Sequence, residues 1–434
     1  MAPATTDSLC SQPMTDPLPP SLPSTPAAAA TWSTRRRFVF RCGAALFAVQ
    51  MAMSLLDVSD ATRAWTAAAS AAVHHLAAGV APTMANAWRE LASRSDGHAT
   101  LLNLLGMAGL AIGIAGLWSL VDRRRVDHTR LAGALRITLR YLVGVVMSVY
   151  GGIKVVNMQF PPPTVAELLQ PLGSRTAMGL LWNFMGISPA YTAFAGISEV
   201  VGAALLFWRR TTTLGSLVLC GVLANVVAMN FAYDVPVKQG SAMLLVAVIA
   251  LASRDAQRVF SLLVLGRPTT PAMEPAFQAG PWLSRARGVM KPLVVLLAIA
   301  APPIAAHFVR EAMHAPAPLH GLYEVQRFLR DSAEVPPLTT EVMRWRRLVI
   351  GERGGALLQY MDDRFVSLRL SVDQAQHTLT LTGVGANSWT FAYEARPGGV
   401  LRLQGQEANS IQEVLLQRQA TSPQFRLLSV EHHR

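Results

Sequence analysis

Long apolar runs separated by short basic connections fill most of the first three hundred residues, and after His320 the pattern changes to short alternating stretches. A helix needs about 20 apolar residues to cross about 30 Å of hydrocarbon. Seven runs are candidates: Phe38–Leu56, Leu101–Leu120, Thr138–Asn157, Tyr191–Trp208, Thr212–Phe231, Ser241–Ser253 and Val289–Val309. The sixth is short unless it begins near Val237. The first contains Arg41, whose apolar stem can carry its guanidinium to the near interface.

From His320 onward, RWRRLVIGE, ALLQYMD, FVSLRLSVD, HTLTLTG, SWTFAYEA, VLRLQGQ and IQEVLLQR combine period-two alternation with β-branched and aromatic residues. VDQAQHT and RPGG read as hairpin turns, and HGLYEVQRFLRDSAEVPPLTT as a lead-in. Seven or eight strands over about 90 residues predict a small antiparallel barrel or sandwich. The expected fold is therefore an α-helical membrane bundle followed by a β-domain.

The connection between the third and fourth runs is more than a loop. Pro161–Pro163 stop the third helix. VAELLQPL reads as a short amphipathic helix, and MGLLWNFMG as an apolar one at the outer face. Interrupted apolar stretches are tolerated at membrane depth where protein covers them or they line a cavity.

Composition agrees with a membrane protein carrying a soluble part. Of 434 residues, 51% are hydrophobic and 15% charged, against about 25% charged in soluble domains. The net charge of +12 does not point to nucleic acid, because the arginines sit in short connections. With the N-terminus inside, the inner segments hold Arg35, Arg36, Arg37, Arg41, Arg123, Arg124, Arg125, Arg130, Arg136, Arg140, Arg209, Arg210, Arg254, Arg258, Arg267, Arg285, Arg287 and Lys291. The outer connections hold Arg63, Arg89, Arg94, Arg175 and Lys238. Lys and Arg excess marks the cytoplasmic side. The N-terminus is thus expected in the cytoplasm and, after seven crossings of an inner membrane, the C-terminal domain in the periplasm.

Met1–Ala30 is rich in Pro, Ser, Thr and Ala and reads as a disordered tail. TRRRF at Thr34–Phe38 resembles a twin-arginine export signal; a positive-inside anchor for the first helix is the simpler reading. Asp57–Thr100 reads as an outer segment with an Ala-rich helix and interfacial Trp65 and Trp88. His74–His75 point about 100° apart on a helix, a poor arrangement for one metal. Cys10, Cys42 and Cys220 all fall inside or within the membrane, so no structural disulfide or dithiol centre is expected. No Ser-His-Asp set, zinc spacing or phosphate loop is present in the sequence.

Polar groups recur in the outer half of the third to sixth spans. Lys154 lies a turn below the outer end of the third, and Gln159 closes it. Glu199 is near the middle of the fourth. Asn225 and Asn230 lie on one side of the fifth, and Asp234 and Lys238 occupy the turn NFAYDVPVKQG that follows. Charges at such depth are costly unless paired or wetted. Two compatible readings follow. The groups tie the helices together, with Lys154–Glu199 a buried pair and Asp234 capping the sixth helix or pairing with Lys238. Or they line an outward-opening pocket for a headgroup such as a quinone.

RYLVGVVMSVYGGIKVVNMQFP, LLQPLGSRTAMGLLWNFMGISPAYTAFAGISEVVGAALLFWRRTTTLG and NVVAMNFAYDVPVKQ, within Arg136–Pro268, resemble the DoxX-like family of bacterial membrane proteins. LYEVQRF…WRRLVI…TLTLTG resembles the β-rich tail of a longer subgroup. The resemblance implies a four-helix membrane core formed by the third to sixth spans. Some relatives serve quinone-linked or thiol-linked oxidoreductase systems, and remote ones include the membrane part of vitamin K-dependent carboxylase. It supplies no catalytic residue. The implied organisation is a tail (1–34), two helices with an outer segment (35–135), the four-helix core (136–268), a linker with the last span (269–318) and a periplasmic β-domain (319–434). The functions it leaves are a quinone-linked oxidoreductase subunit fed by a redox partner protein, or a scaffold whose β-domain holds a partner or lipid.

Overall fold

The computed structural model describes residues 32–56, 96–125, 127–270, most of 292–309, 318–351, 354–383, 388–407 and 410–420. The tail, the outer segment with His74–His75, Cys10, most of the linker and the last residues of the chain lie outside the described residues, as does part of the seventh expected span.

The helices are α1 (Thr34–Leu56), α2 (Asp96–Val121), α3 (Thr129–Val155), α4 (Val165–Leu169), α5 (Ala177–Ile187), α6 (Pro189–Leu206), α7 (Thr212–Ala232), α8 (Lys238–Ser253) and α9 (Ala256–Leu263). Four of them are long and apolar enough to cross a membrane: α2 over Leu104–Val121, α3, α6 and α7. They make this a membrane protein. The seven expected spans are thus reduced to four among the described residues. The sixth starts at Lys238 rather than Ser241, yet α8 has only 16 residues, about 24 Å of helix. The first run does form α1, although its N-terminal turns carry Arg35, Arg36, Arg37 and Arg41.

Arg41 carries its guanidinium to the connection between α2 and α3, where protein covers it. It is buried, donating from Nε to His128 Nε2 (3.1 Å) and from Nη2 to the Asp122 carbonyl (3.0 Å). His128 packs against Trp32, Phe40 and Trp118. The basic start of α1 is therefore fastened to the connection between α2 and α3.

Local chemistry explains where the helices of the core begin and end. Asn157 adopts a left-handed backbone just after α3, and Pro161–Pro163 follow. α4 carries a capping box of Thr164 and Glu167. Thr176 caps α5 by accepting from the Gly179 amide, and Ser188 caps α6 with Pro189 at its first position. α3 packs along α6, α6 along α7 and α7 along α8, and α8 returns more loosely to α3. Leu139, Val143, Met147, Leu206, Leu219 and Val248 form the centre of this ring, with Phe47 of α1 against it.

The second domain is a closed barrel. Strands β1 (Gly321–Arg330), β2 (Ala333–Glu334), β3 (Trp345–Ile350), β4 (Gly355–Tyr360), β5 (Phe365–Asp373), β6 (Thr378–Thr382), β7 (Ser388–Arg396), β8 (Val400–Glu407) and β9 (Ser410–Gln419) pair antiparallel. β1 pairs with both β3 and β9, which closes an eight-stranded ring and leaves two-residue β2 as a side ribbon on β1. The barrel alternative thus holds over the sandwich. The segment read as a lead-in contains β1, the closing strand. A bulge between Val325 and Arg327 makes its inward residues Tyr323, Val325 and Phe328, a spacing that hides the alternation. Both expected hairpin turns form, with Gly398 and Gly399 at positive φ in RPGG.

Phe328, Trp345, Leu348, Leu358, Phe391 and Leu403 fill the barrel interior, as eight strands allow. Outside it, Leu322, Val349 and Leu357 are buried against Val165, Ala166 and Leu169 of α4. The amphipathic helix read between the third and fourth runs is real, and its apolar face holds the barrel. The barrel consequently sits on the same side of the bundle as the connection from α3 to α6.

Candidate functional site

The spacing Gly-x-x-Lys in α3 meets Gly-x-x-Glu in α6. Gly151 and Gly196 let the two backbones touch: a Cβ on either would lie 2.6 Å from the carbonyl oxygen of the other. Small residues are the usual means of such close crossings in membranes. A Cβ on Gly196 would also lie 2.8 Å from Lys154 Cβ, so the glycine admits the lysine stem. One turn further along each helix, the Lys154 ammonium donates to Glu199 Oε1. Both side chains are buried. The second carboxylate oxygen, Glu199 Oε2, is buried with no hydrogen-bond partner among the described residues, and so is Gln159 Oε1.

A second polar group lies on α7 and α8. Asn230 Nδ2 donates to Ser241 Oγ (3.0 Å), and Ser241 Oγ donates to the Lys238 carbonyl (2.9 Å). Lys238 is buried and its ammonium pairs with exposed Asp234 at 2.7 Å. Of the two roles considered for Asp234, pairing is the one adopted. The N-cap of α8 is Val237, and no side chain caps the helix there. The charges in NFAYDVPVKQG thus form a clamp across the tight turn, in which Asp234 has a left-handed backbone.

Both groups border one cavity of about 1400 Å³. Lys154, Gln159, Glu199, Asn225 and Asn230 belong to its wall; Asp234 and Lys238 do not. Asn225 differs from Asn230 in being exposed, and no side-chain bond like that of Asn230 to Ser241 holds it among the described residues. The wall is mainly apolar, from Leu139 and Met147 to Phe160, Trp182 and Met185, and α1 contributes Phe40, Phe47 and Gln50. The cavity follows the loose seam between α3 and α8, with α1 along it. Its other end reaches Arg36, Arg136 and Arg254. Arg136 pairs there with Asp255 at 3.8 Å.

The sequence did not single out several wall residues. Gln239 donates to Gln50 Oε1 (3.4 Å) and touches Met107 Sδ (3.2 Å), tying α8 to α1 and α2. Gln50 was detectable as a lone amide in the apolar run of α1. Tyr150, Trp182 and Ser198 carried no signal beyond ordinary membrane composition. Among the described residues, no group of three His, Cys, Asp or Glu side chains is placed to hold a metal ion.

No family model matches the chain, and no solved structure matches it. It is similar to the uncharacterized protein YwoB of Bacillus subtilis (strain 168), with 29% identity over 127 residues. That alignment covers 29% of this chain and 79% of YwoB.

Proposed function

We propose that the helical bundle is a binding site for a lipid-soluble amphiphile whose headgroup meets Lys154 and Glu199, within an inner-membrane protein that serves a quinone-linked oxidoreductase system. The observation that carries this reading is the buried ion pair on the wall of a long apolar cavity. At about 1400 Å³, the cavity exceeds the roughly 300–1,000 Å³ of ordinary small-molecule pockets. It has room for a tail as well as a ring. A quinone fits this division: its ring would lie near Tyr150, Phe160 and Trp182, its oxygens near Lys154, and its tail along the apolar wall.

The resemblance of these motifs, in their order, to the DoxX-like family supports the quinone assignment. The excess of arginines at the end of the bundle away from the barrel supports a cytoplasmic N-terminus and a periplasmic barrel. Electrons would come from a partner protein, since the described residues offer no metal cluster or paired thiols.

The scaffold reading draws on one observation of its own, the docking of α4 on the barrel wall. Because side chains fill the barrel, any partner of this domain would use its outer surface and not its interior. Extraction of the protein purified from native membranes separates the readings. Stoichiometric bound quinone is expected, and its loss in Lys154→Met with Glu199→Gln. A folded protein that carries only bulk phospholipid would favour the scaffold.

A further inference from the structure

We infer that the Lys154–Glu199 end of the cavity selects an amphiphile whose headgroup carries a hydroxyl over one that offers only a carbonyl. This rests on the ligand-pocket reading above and specifies the chemistry that the pocket takes.

The argument is a count of donors and acceptors. Glu199 is 1% exposed. Its Oε1 is taken by the Lys154 ammonium, and its Oε2 is buried with no partner among the described residues. A carboxylate can only accept. Buried acceptors left bare are rare and costly, the more so when charged. Gln159 Oε1, on the same wall, is in the same condition. The site thus has two acceptors to satisfy, while Lys154, with three N–H groups, donates one of them to Glu199.

A hydroxyl serves the ammonium and one of the two acceptors. Its proton can go to Glu199 Oε2 while its oxygen accepts from Lys154. A carbonyl accepts from Lys154 and leaves both acceptors bare. A site built with a buried acceptor rejects ligands that lack the matching donor, because the acceptor then stays unpaired. Hydroquinones and lipid alcohols share the required group.

The test titrates the full-length protein in nanodiscs, anaerobically, with decyl-hydroquinone, decyl-benzoquinone and farnesol. The hydroquinone should bind at least about tenfold tighter than the quinone, as expected for a hydrogen bond to a charged acceptor. Farnesol binding as well as the hydroquinone would extend the proposal to any lipid alcohol; farnesol failing would restrict it to ring-borne hydroxyls. Equal affinity for hydroquinone and quinone would overturn it while leaving the ligand pocket intact. Binding of none of the three would overturn both. The pair Lys154→Met with Glu199→Leu strands no charge and should abolish the preference. Persistence of the preference there would also overturn the assignment, and if that protein fails to fold, the titrations of the natural chain still decide.

Discussion

Gly151 of α3 and Gly196 of α6 stand so close that a methyl group on either would collide with the carbonyl oxygen of the other at 2.6 Å. The contact brings Lys154 and Glu199, three residues on, into each other's reach. Gly151→Ala or Gly196→Ala should therefore force the helices apart. Overpacking of this kind typically costs about 1–3 kcal/mol. Melting in detergent should fall for either variant, whereas Gly109→Ala in α2, where a Cβ meets nothing within 4 Å, should leave it unchanged or raised.

The ion pair itself should behave as a coupled unit. Lys154→Met or Glu199→Gln alone strands a charge in the bundle and should cost about 3–5 kcal/mol. The double replacement should recover much of that loss. Additive melting shifts in the four-protein cycle would show that the two groups act independently.

The barrel should fold without the bundle. Among the described residues its closed ring leaves no unpaired edge apart from β2, and the cluster that fills it comes from residues after Pro318. A fragment starting at Pro318 should give a β-type circular-dichroism spectrum with a cooperative melt. In the full chain, Leu169→Asp should detach the barrel from α4, since Leu169 packs on the patch formed by Leu322, Val349 and Leu357. Faster proteolysis between bundle and barrel, with both fragments intact, is the expected readout.

Acid should loosen the fastening of α1. Burial pushes the His128 imidazole below its ordinary value, the Arg41 guanidinium and Arg125 act in the same direction, and Asp122 and Asp127 oppose them. The unfolded chain therefore takes up the proton first. This contribution to stability is complete above about pH 6.5, the ordinary imidazole value. It is lost as the pH falls through the lowered one, where protonated Nε2 can no longer accept from Arg41. Melting followed from pH 8 to 5 should show this loss, and His128→Gln, which cannot titrate, should flatten it.

These relationships were unequally legible in the sequence. The apolar runs gave α2, α3, α6 and α7 because lipid demands continuous hydrophobicity, and alternation gave the strands from β3 onward. β1 was missed because its bulge breaks the period of two. The Lys154–Glu199 pair was readable from depth alone, since two charges within a bundle need each other. Depth could not separate Asn225 from Asn230: both sit on one side of α7, but Ser241 of α8 lies against Asn230. Nor could it show that Asp234 and Lys238 close on each other outside the cavity wall. The partner of α4 was hidden for a different reason. An amphipathic turn announces a buried face but not what covers it.

We propose above that a headgroup lies against Lys154 and Glu199. A quinone analogue with an azido group on its ring, photolysed in membranes and mapped by peptide mass spectrometry, tests it most directly. Labelling should fall on the stretches Tyr150–Phe160 and Leu181–Met185, which hold cavity-wall residues on the Lys154 side, and should be competed away by unlabelled analogue. Labelling spread over the lipid-facing surfaces of α2 and α7, unaffected by competitor, would mean that no headgroup is held there.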